Sequence, residues 1–310
     1  MRIRFIKTTE SDLENILSLW NDGEVMKYVG FPEGLHMTLD KLKVWLERVN
    51  AKKDTLHYSI YSKDTYFGET YYSLNENEEV ASLDIKLKKA ARGKNIAYQA
   101  LSFCIDQLFL NTNALRAKVD PSMENDKAIR LYKRLGFQEI RLVTYEGKNH
   151  VYMEVKKEQW HKYRINQLRL EDVNFDNFIE VIFLSVKENQ INFIASNAIS
   201  LAQSKYQEEC IPKAIYVGSN LVGFLMYCVD RDDHDFWIYR FMIDQKYQGM
   251  GYGLKAMEII ITFIKKISTK PMLKISFAKD NEIAKNLYEA CGFQSTGITQ
   301  DHEIVYELKW

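Results

Sequence analysis

The chain has 310 residues, a length that suits two domains of ordinary size rather than one. Its 46% hydrophobic and 27% charged residues can fill globular cores, and with 14 Gly and 4 Pro it is neither collagen-like nor low in complexity. Basic and acidic side chains balance at 42 each and spread evenly over both halves, which excludes the basic excess of a nucleic-acid or membrane-surface binder.

From the N-terminus, Met1-Arg2-Ile3-Arg4 opens an alternating segment without the apolar run of a signal peptide, and no later stretch nears the roughly 20 apolar residues of a membrane span. A cytoplasmic protein without membrane or nucleic-acid partners is expected. Helix candidates at Asp12–Trp20 and Leu39–Val49 come first. Thr55–Tyr61 and Tyr66–Ser73 then alternate around a Ser62-Lys63-Asp64 turn, and Val80–Leu87 follows the polar turn Asn75–Glu79, so three consecutive antiparallel strands are expected. Ile96–Leu110 places Ala97, Leu101, Cys104, Ile105 and Leu108 at helical spacing; Leu115–Val119 reads as a short strand and Asp126–Leu135 as an amphipathic helix ended by Gly136. His150–Val155 reads as a strand, as does Asn166–Leu170 beyond it.

The same order then returns: helices Phe175–Leu184 and Ala198–Glu208, strands Lys213–Val217, Leu221–Val229 and Phe236–Ile243, a helix from Gly253 to Lys266, a strand Met272–Phe277 and a helix Asn281–Cys291. The repeat has a fixed offset of 156 residues, which carries Arg92 to Gln248, Asn125 to Asn281, Ala128 to Ala284, Leu131-Tyr132 to Leu287-Tyr288 and Gly136-Phe137 to Gly292-Phe293. A duplicated domain divided at 1–158 and 159–310 is expected. A meander followed by strand-helix alternation indicates α+β domains, each a mixed, mainly antiparallel sheet flanked by helices.

Cys104, Cys210, Cys228 and Cys291 stand apart from one another and from His at ligand spacing, so buried free thiols and no metal site are expected. The signatures of nucleophile-elbow hydrolases, zincins and P-loop enzymes are absent. The informative segment is the strand ending at Ile243, a short polar loop, and Gln248-Gly249-Met250-Gly251-Tyr252-Gly253 opening a helix. Glycines at such a turn let backbone N–H groups approach an anion, and the helix N-terminus adds partial positive charge, which suits a pyrophosphate. The same glycines would also serve a turn that only packs helix on strand. A dinucleotide unit is disfavoured, because the loop follows a meander and no acidic residue ends a second parallel strand.

Gln248-x-x-Gly251-x-Gly253, followed 33 residues after Gln248 by Asn281-x-x-Ala284-x-x-Leu287-Tyr288-x-x-x-Gly292-Phe293, resembles the acetyl-CoA signature of the GNAT superfamily of N-acetyltransferases. The first copy carries Arg92-Gly93-Lys94-Asn95-Ile96-Ala97 and Asn125-x-x-Ala128-x-x-Leu131-Tyr132 at the same interval, with Asn95 where the family loop has its middle glycine. The resemblance implies two GNAT-like domains and an acetyl-CoA-dependent transfer of acetyl to a small-molecule amine, polyamine or protein N-terminus by direct attack. Its competitor is a CoA-binding or partner-binding tandem domain without turnover. The resemblance implies cofactor contacts from Gln248, Gly249, Met250, Gly251, Tyr252, Gly253, Leu254 and Asn281, and in the first copy from Arg92, Gly93, Lys94, Asn95, Ile96, Ala97 and Asn125. It further implies a bulged strand whose backbone holds the thioester carbonyl at Phe241, Met242 and Ile243, or Ile85, Lys86 and Leu87. Tyr288 and Tyr132 take the place of the acid that protonates the departing thiolate.

The residues themselves leave alternatives open. Tyr288 also suits core packing, and Asn281 a helix N-cap. Asp84 is a candidate base or a solvated strand residue, and Asp230, Asp232, Asp233, His234 and Asp235 form either a solvated turn or a site for a substrate cation. The Asn95 side chain would crowd the pyrophosphate and weaken cofactor binding in the first copy. Trp20 to Pro32, with Thr38 and Trp45-Leu46, resembles ribosomal-protein alanine and aminoglycoside acetyltransferases. Ile215–Tyr227 and Arg240–Gly253 resemble bacterial spermine/spermidine acetyltransferases.

Overall fold

Val80–Leu87 and Phe236–Ile243, the third strands of the two expected meanders, lie at the centres of two separate sheets. The computed structural model describes residues 3–75, 77–145 and 147–310, so Met1, Arg2 and Glu76 of the expected N-terminal segment and polar turn lie outside the described residues. Two compact units result, Met1–Tyr163 and Arg164–Trp310.

In the first unit, β1 (Arg4–Lys7) precedes α1 (Leu13–Trp20), α2 (Gly23–Met26) and α3 (Leu39–Ala51). The meander β2 (Thr55–Ser62), β3 (Thr65–Ser73) and β4 (Val80–Leu87) follows, then α4 (Ile96–Asn111), β5 (Arg116–Val119), α5 (Asp126–Arg134) and the hairpin β6 (Gln138–Tyr145) and β7 (Lys148–Lys156). The chain continues through α6 (Lys157–Ile165), which no sequence signal singled out. The second unit repeats the plan with β8 (Leu168–Asp172), α7 (Phe178–Ile182), α8 (Asn197–Tyr206), β9 (Ile211–Val217), β10 (Asn220–Val229) and β11 (Phe236–Ile243). It ends with α9 (Tyr252–Ile267), β12 (Met272–Ala278), α10 (Glu282–Ala290), β13 (Gln294–Gln300) and β14 (Glu303–Lys309).

The sheet orders are β1-β2-β3-β4-β5-β7-β6 and β8-β9-β10-β11-β12-β14-β13, so the two domains share one topology. All neighbours are antiparallel except the central pairs β4·β5 and β11·β12, which makes each sheet mixed and mainly antiparallel. Those parallel pairs are short. Val80–Ser82 meets Arg116–Lys118 and Phe236–Ile238 meets Leu273–Ile275, after which the strands part.

Alternation along the strands sorts side chains onto two covered faces. On one face Tyr58, Tyr72 and Leu83 pack under Leu101, Cys104 and Ile105 of α4; in the second domain Ile215, Leu225 and Ile238 pack under Ala256, Met257 and Ile260 of α9. Helices that precede each meander cover the opposite face, with Ile16, Leu19 and Leu42 in the first domain and Val181 in the second. Cys104, Cys210 and Cys228 are buried free thiols and Cys291 is half-buried. Among the described residues no helix is long and apolar enough to cross a membrane.

The expected helix Phe175–Leu184 is shorter than its sequence pattern. Asn177 turns its carboxamide back, accepting from the Asn174 amide at 2.8 Å and donating to the Asp172 carbonyl at 3.0 Å, so the chain forms a side-chain-closed turn before α7 begins at Phe178.

One glycine in each meander lets the strands approach closely. Gly68 lies opposite Leu87 and Gly223 opposite Ile243, positions separated by the 156-residue offset on the central strand. A Cβ on Gly68 would stand 2.1 Å from the Lys86 carbonyl oxygen, and one on Gly223 would stand 2.5 Å from that of Met242. Backbone cannot yield as a flexible side chain does, so Gly223→Ala should destabilise the C-terminal domain by about 3 kcal/mol, read as a lower unfolding midpoint of that domain in urea.

Candidate active site

The loop after β11 is shaped by its local residues. Asp244 caps the single turn Gln245–Tyr247, accepting from the Lys246 amide at 3.0 Å and from the Ser185 amide at the same distance. Gln248 then ties back to the end of β11, donating to the Ile243 carbonyl at 2.9 Å and to Gln190 Oε1 at 2.8 Å. Gly249 and Gly251 both take positive φ, +81° and +79°, and Gly251 is the N-cap of α9. The amides that open α9 have no intrahelical acceptor, which leaves donors and the positive end of the helix dipole at this turn.

The first loop follows the same path. Gly93 has φ 75° and Asn95 φ 60°, and Asn95 is the N-cap of α4. Asn is the residue after glycine best suited to this region. Its Oδ1 accepts from Arg134 Nη2 at 2.9 Å, with the guanidinium over the Tyr98 ring. Arg92 reaches the Glu24 carbonyl of α2 at 3.3 Å, Lys94 lies over the Phe67 ring, and Ile96 and Ala97 form the first turn of α4.

In the second domain, the parting of β11 from β12 opens a cavity of about 1010 Å³. Phe241, Met242, Ile243, Gln248, Gly249, Gly251, Gly253, Leu254, Asn281 and Tyr288 all line it, so one space gathers most of the residues the sequence pointed to. Met250 and Tyr252 do not line it; their side chains pack into the core under α9. Gly253 has room for a methyl group, its added Cβ meeting Ile243 and Leu287 at 3.7 Å, as Ala97 in the first loop also implies.

The bulge lies earlier than expected. Phe241, Met242 and Ile243 pair regularly with Leu225, Phe224 and Gly223, while the register slips between Met226·Arg240 and Tyr227·Ile238, leaving Tyr239 without a partner residue. A bulge disrupts the ladder where it occurs, at Tyr239-Arg240, and beyond Ile238 the edge of β11 that faced β12 has no strand partner through 241–243. Tyr239 donates to Asp230 Oδ2 at 2.6 Å and Arg240 donates to Gln203 Oε1 at 3.1 Å. In the first domain β4 pairs with β3 from Ser82 to Leu87 without a bulge, and the Ile85 amide donates to Asp84 Oδ1 at 2.7 Å. The bulge expected over Ile85–Leu87 is therefore absent; each apolar residue there keeps its alternate face and nothing displaces the ladder.

Asn281 and Asn125 act as N-caps, each accepting from the amide three residues on, Ala284 or Ala128, at 3.1 Å. Tyr288 is 6% exposed, between Phe277 and Phe293. Burial first, then Cys291 and Glu303, pushes its phenol well above the usual range, and burial with Asp84 and Asp120 does the same for Tyr132. Both hydroxyls stay protonated at neutral pH.

The acidic turn divides into two roles. Asp235 pairs with Lys270 and Lys274, and Asp233 with Lys274, which holds the hairpin to β12. Asp230 alone of the five residues lines the cavity. Burial would raise its carboxyl, but hydrogen bonds from Tyr239 and from the Asp232 and Asp233 amides outweigh that and hold it below the usual range. Ser276, Asp301 and Glu303 also line the cavity, with Ser276 Oγ donating to Glu303 Oε2 at 2.5 Å. No motif marked them, since Ser276 and Glu303 are brought in by the pairing of β12 with β14, and Asp301 by the turn that leads into β14. In the first domain Asp84 pairs with Lys86, and Lys86 with the buried Glu69.

Residues 2–138 match the acetyltransferase (GNAT) domain, and residues 180–293 match the acetyltransferase (GNAT) family. The spermine/spermidine N(1)-acetyltransferase of Bacillus subtilis (strain 168) is 31% identical over 136 residues, which are 42% of this chain and 90% of that protein. Among solved structures, the spermidine N-acetyltransferase of Vibrio cholerae, in complex with CoA and spermine, is 18% identical with a TM-score of 0.47, over 51% of this chain and 97% of that one. The aminoglycoside acetyltransferase AAC(6')-Ib in complex with coenzyme A is 22% identical with a TM-score of 0.45, over 53% and 99%.

The equivalence of the two caps can be measured. Asn125→Ala and Asn281→Ala should each cost about 1 kcal/mol in the unfolding of their own domain, and Asn→Ser at either position should restore most of it.

Proposed function

The chain belongs to the GNAT acetyltransferases, with one such domain in each half, and from that membership we propose that the C-terminal domain transfers acetyl from acetyl-CoA to a small cationic amine by direct attack. The observation that carries this reading is the single cavity lined by the glycine turn at the α9 N-terminus, by Tyr288 and by the carboxylates Asp230, Asp301 and Glu303. Acetyl-CoA supplies an activated thioester, and its two ends need different hosts. The backbone from Gly249 to Leu254 suits the pyrophosphate, because Gly249 and Gly251, at positive φ, carry no side chain to block a helix N-terminus.

The residues then divide the chemistry. The edge of β11 left without β12 beyond Ile238, next to the bulge at Tyr239-Arg240, offers backbone donors to the carbonyl oxygen as charge develops there. The ionised Asp230 draws an ammonium into the cavity. Once the amine has lost a proton to solvent at this carboxylate-lined surface, its nitrogen forms the C–N bond and the C–S bond breaks. Tyr288 gives its hydroxyl proton to the sulfur, the nitrogen sheds its remaining extra proton to solvent, solvent reprotonates Tyr288, and the products are the acetylated amine and the free thiol. The spermine/spermidine acetyltransferase relative supports a polyamine as acceptor, since a di- or polycation matches a cavity with several carboxylates.

Three outcomes test this reading. Gly251→Asp places a carboxylate and a strained φ in the turn, and should abolish acetyl-CoA binding to the C-terminal domain in calorimetry; unchanged affinity would remove the pyrophosphate from this turn. Tyr288→Phe keeps the packed ring and deletes only the proton. It should lower kcat and kcat/KM together by ~10²- to 10⁴-fold on spermidine, with cofactor affinity nearly unchanged. Because Tyr288 titrates above the ordinary tyrosine range, the wild-type rate should show no fall from its ionisation up to pH 10.

A further inference from the structure

The face of the first domain covered by α1 and α3 holds charges that the reaction above does not use. Glu69, on β3, is 1% exposed. Trp20 Nε1 donates to its Oε1 at 2.6 Å, and His57 Nε2 stands 3.3 Å from its Oε2. His57 is fixed in turn by Thr8, whose Oγ1 is 2.7 Å from Nδ1 and 3.0 Å from Ser59 Oγ. Trp45 lies edge-on to both Trp20 and His57, with centroids 4.8 Å away in each case. Burial would raise the Glu69 carboxyl, but His57 and Lys86 outweigh it and bring its pKa down to about 2.

Into this enclosure β4 sends Lys86. Its Nζ lies 3.5 Å from Glu69 Oε1, pairs with Asp84 Oδ2, and stands 5.7 Å and 5.9 Å from the Trp20 and Tyr71 ring centroids. Two carboxylates and two aromatic faces around one ammonium are the features that recognise an alkylammonium ligand. Burial disfavours the Lys86 charge, yet Asp84 and Glu69 hold its pKa above the usual lysine value. The walls do not depend on this lysine, since Trp20, His57, Thr8 and Trp45 fix Glu69 and one another directly. At the offset position of the second domain stands Met242, so the ammonium belongs to the first domain alone.

We propose that the N-terminal domain contains an alkylammonium-binding box, made by Glu69, Asp84, Trp20 and Tyr71, that the chain fills with its own Lys86. The domain consequently refuses a cationic amine at this face, and removal of the lysine side chain opens the box to a primary alkylammonium of about its length. The proposal concerns binding in the first domain only and stands apart from the transfer assigned to the second.

The test is chemical rescue of the full chain without acetyl-CoA. Thermal unfolding of wild type and Lys86→Ala is followed with n-butylammonium chloride, n-butanol or potassium chloride at equal concentration. Butylammonium should raise the variant's midpoint by roughly 2–4 °C more than that of wild type, with no such difference from butanol or potassium chloride. Binding of butylammonium at the second domain is common to both proteins and cancels in the comparison. Equal responses of variant and wild type overturn the proposal. If Lys86→Ala does not fold unaided, its refolding yield is compared under the same three additives: recovery with butylammonium alone upholds the box, and indifference overturns it. Lys86→Arg retains a cation in place and should not respond; a response matching the alanine variant would show that the charge is not the occupant.

Discussion

The parting of one parallel strand pair in the middle of each sheet is the constraint from which the site follows. An interior strand normally has its backbone groups paired on both edges, and a buried unpaired N–H or C=O is costly. Here β11 and β12 share only a three-residue ladder before separating, and each remains held by its outer neighbour, β11 by β10 as far as Ile243 and β12 by β14 as far as Ala278. The sheet can therefore open at its centre without unravelling. The bulge at Tyr239 begins one residue beyond the last parallel pair, so cavity, unpaired backbone and re-aimed side chains arise from a single local event. The first domain parts in the same way after Ser82, yet its β4 keeps register with β3, and the Ile85 amide is taken by the Asp84 carboxylate. One opening thus supports two different central strands.

Much of this frame was legible in the amino-acid sequence because it rests on local rules. Val80–Leu87 follows a polar turn and Phe236–Ile243 is an apolar run before the glycine turn, Asn125 and Asn281 sit at helix starts, and the 156-residue offset ties the copies together. The glycine turns were legible because positive φ restricts residue choice so strongly. What stayed hidden depends on pairing between distant segments. A bulge at Tyr239 is a relation between β11 and β10, and nothing in Phe236–Ile243 alone distinguishes position 239 from 241. His57 and Glu69 alternate as solvent-facing polar residues would, and only the packing of Trp20 and Trp45 over them turns that face into an interior. The partner of Asn95 was likewise hidden, because Arg134, which engages its carboxamide, lies 39 residues away on α5.

The two copies differ less at the turn than at the central strand. Asn95 takes nearly the φ of Gly251, and Gly93 that of Gly249, so both helices begin with the same backbone. An asparagine in this conformation costs far less than most residues would, so the loop tolerates the substitution. On the central strands the offset sets Asp84 against Arg240 and Lys86 against Met242, replacing an acidic and a basic residue with a basic and a neutral one. In the first domain the cation is turned among carboxylates and rings; in the second, Arg240 reaches Gln203 and leaves Asp230 to Tyr239.

That contrast follows from which atoms each surface uses. A turn that offers backbone amides and a helix end to an anion depends on φ and ψ, which many sequences satisfy once two positions accept positive φ. The opposite face is built from side chains, and a single exchange of Lys for Met or Asp for Arg changes its charge by one or two units while the ladder of β4 or β11 persists. A duplicated domain can therefore keep its turn and central opening while the side-chain face opposite diverges. In this chain the divergence has left one such face lined by Asp230 and Glu303 beside an open cavity, and the other closed upon Lys86.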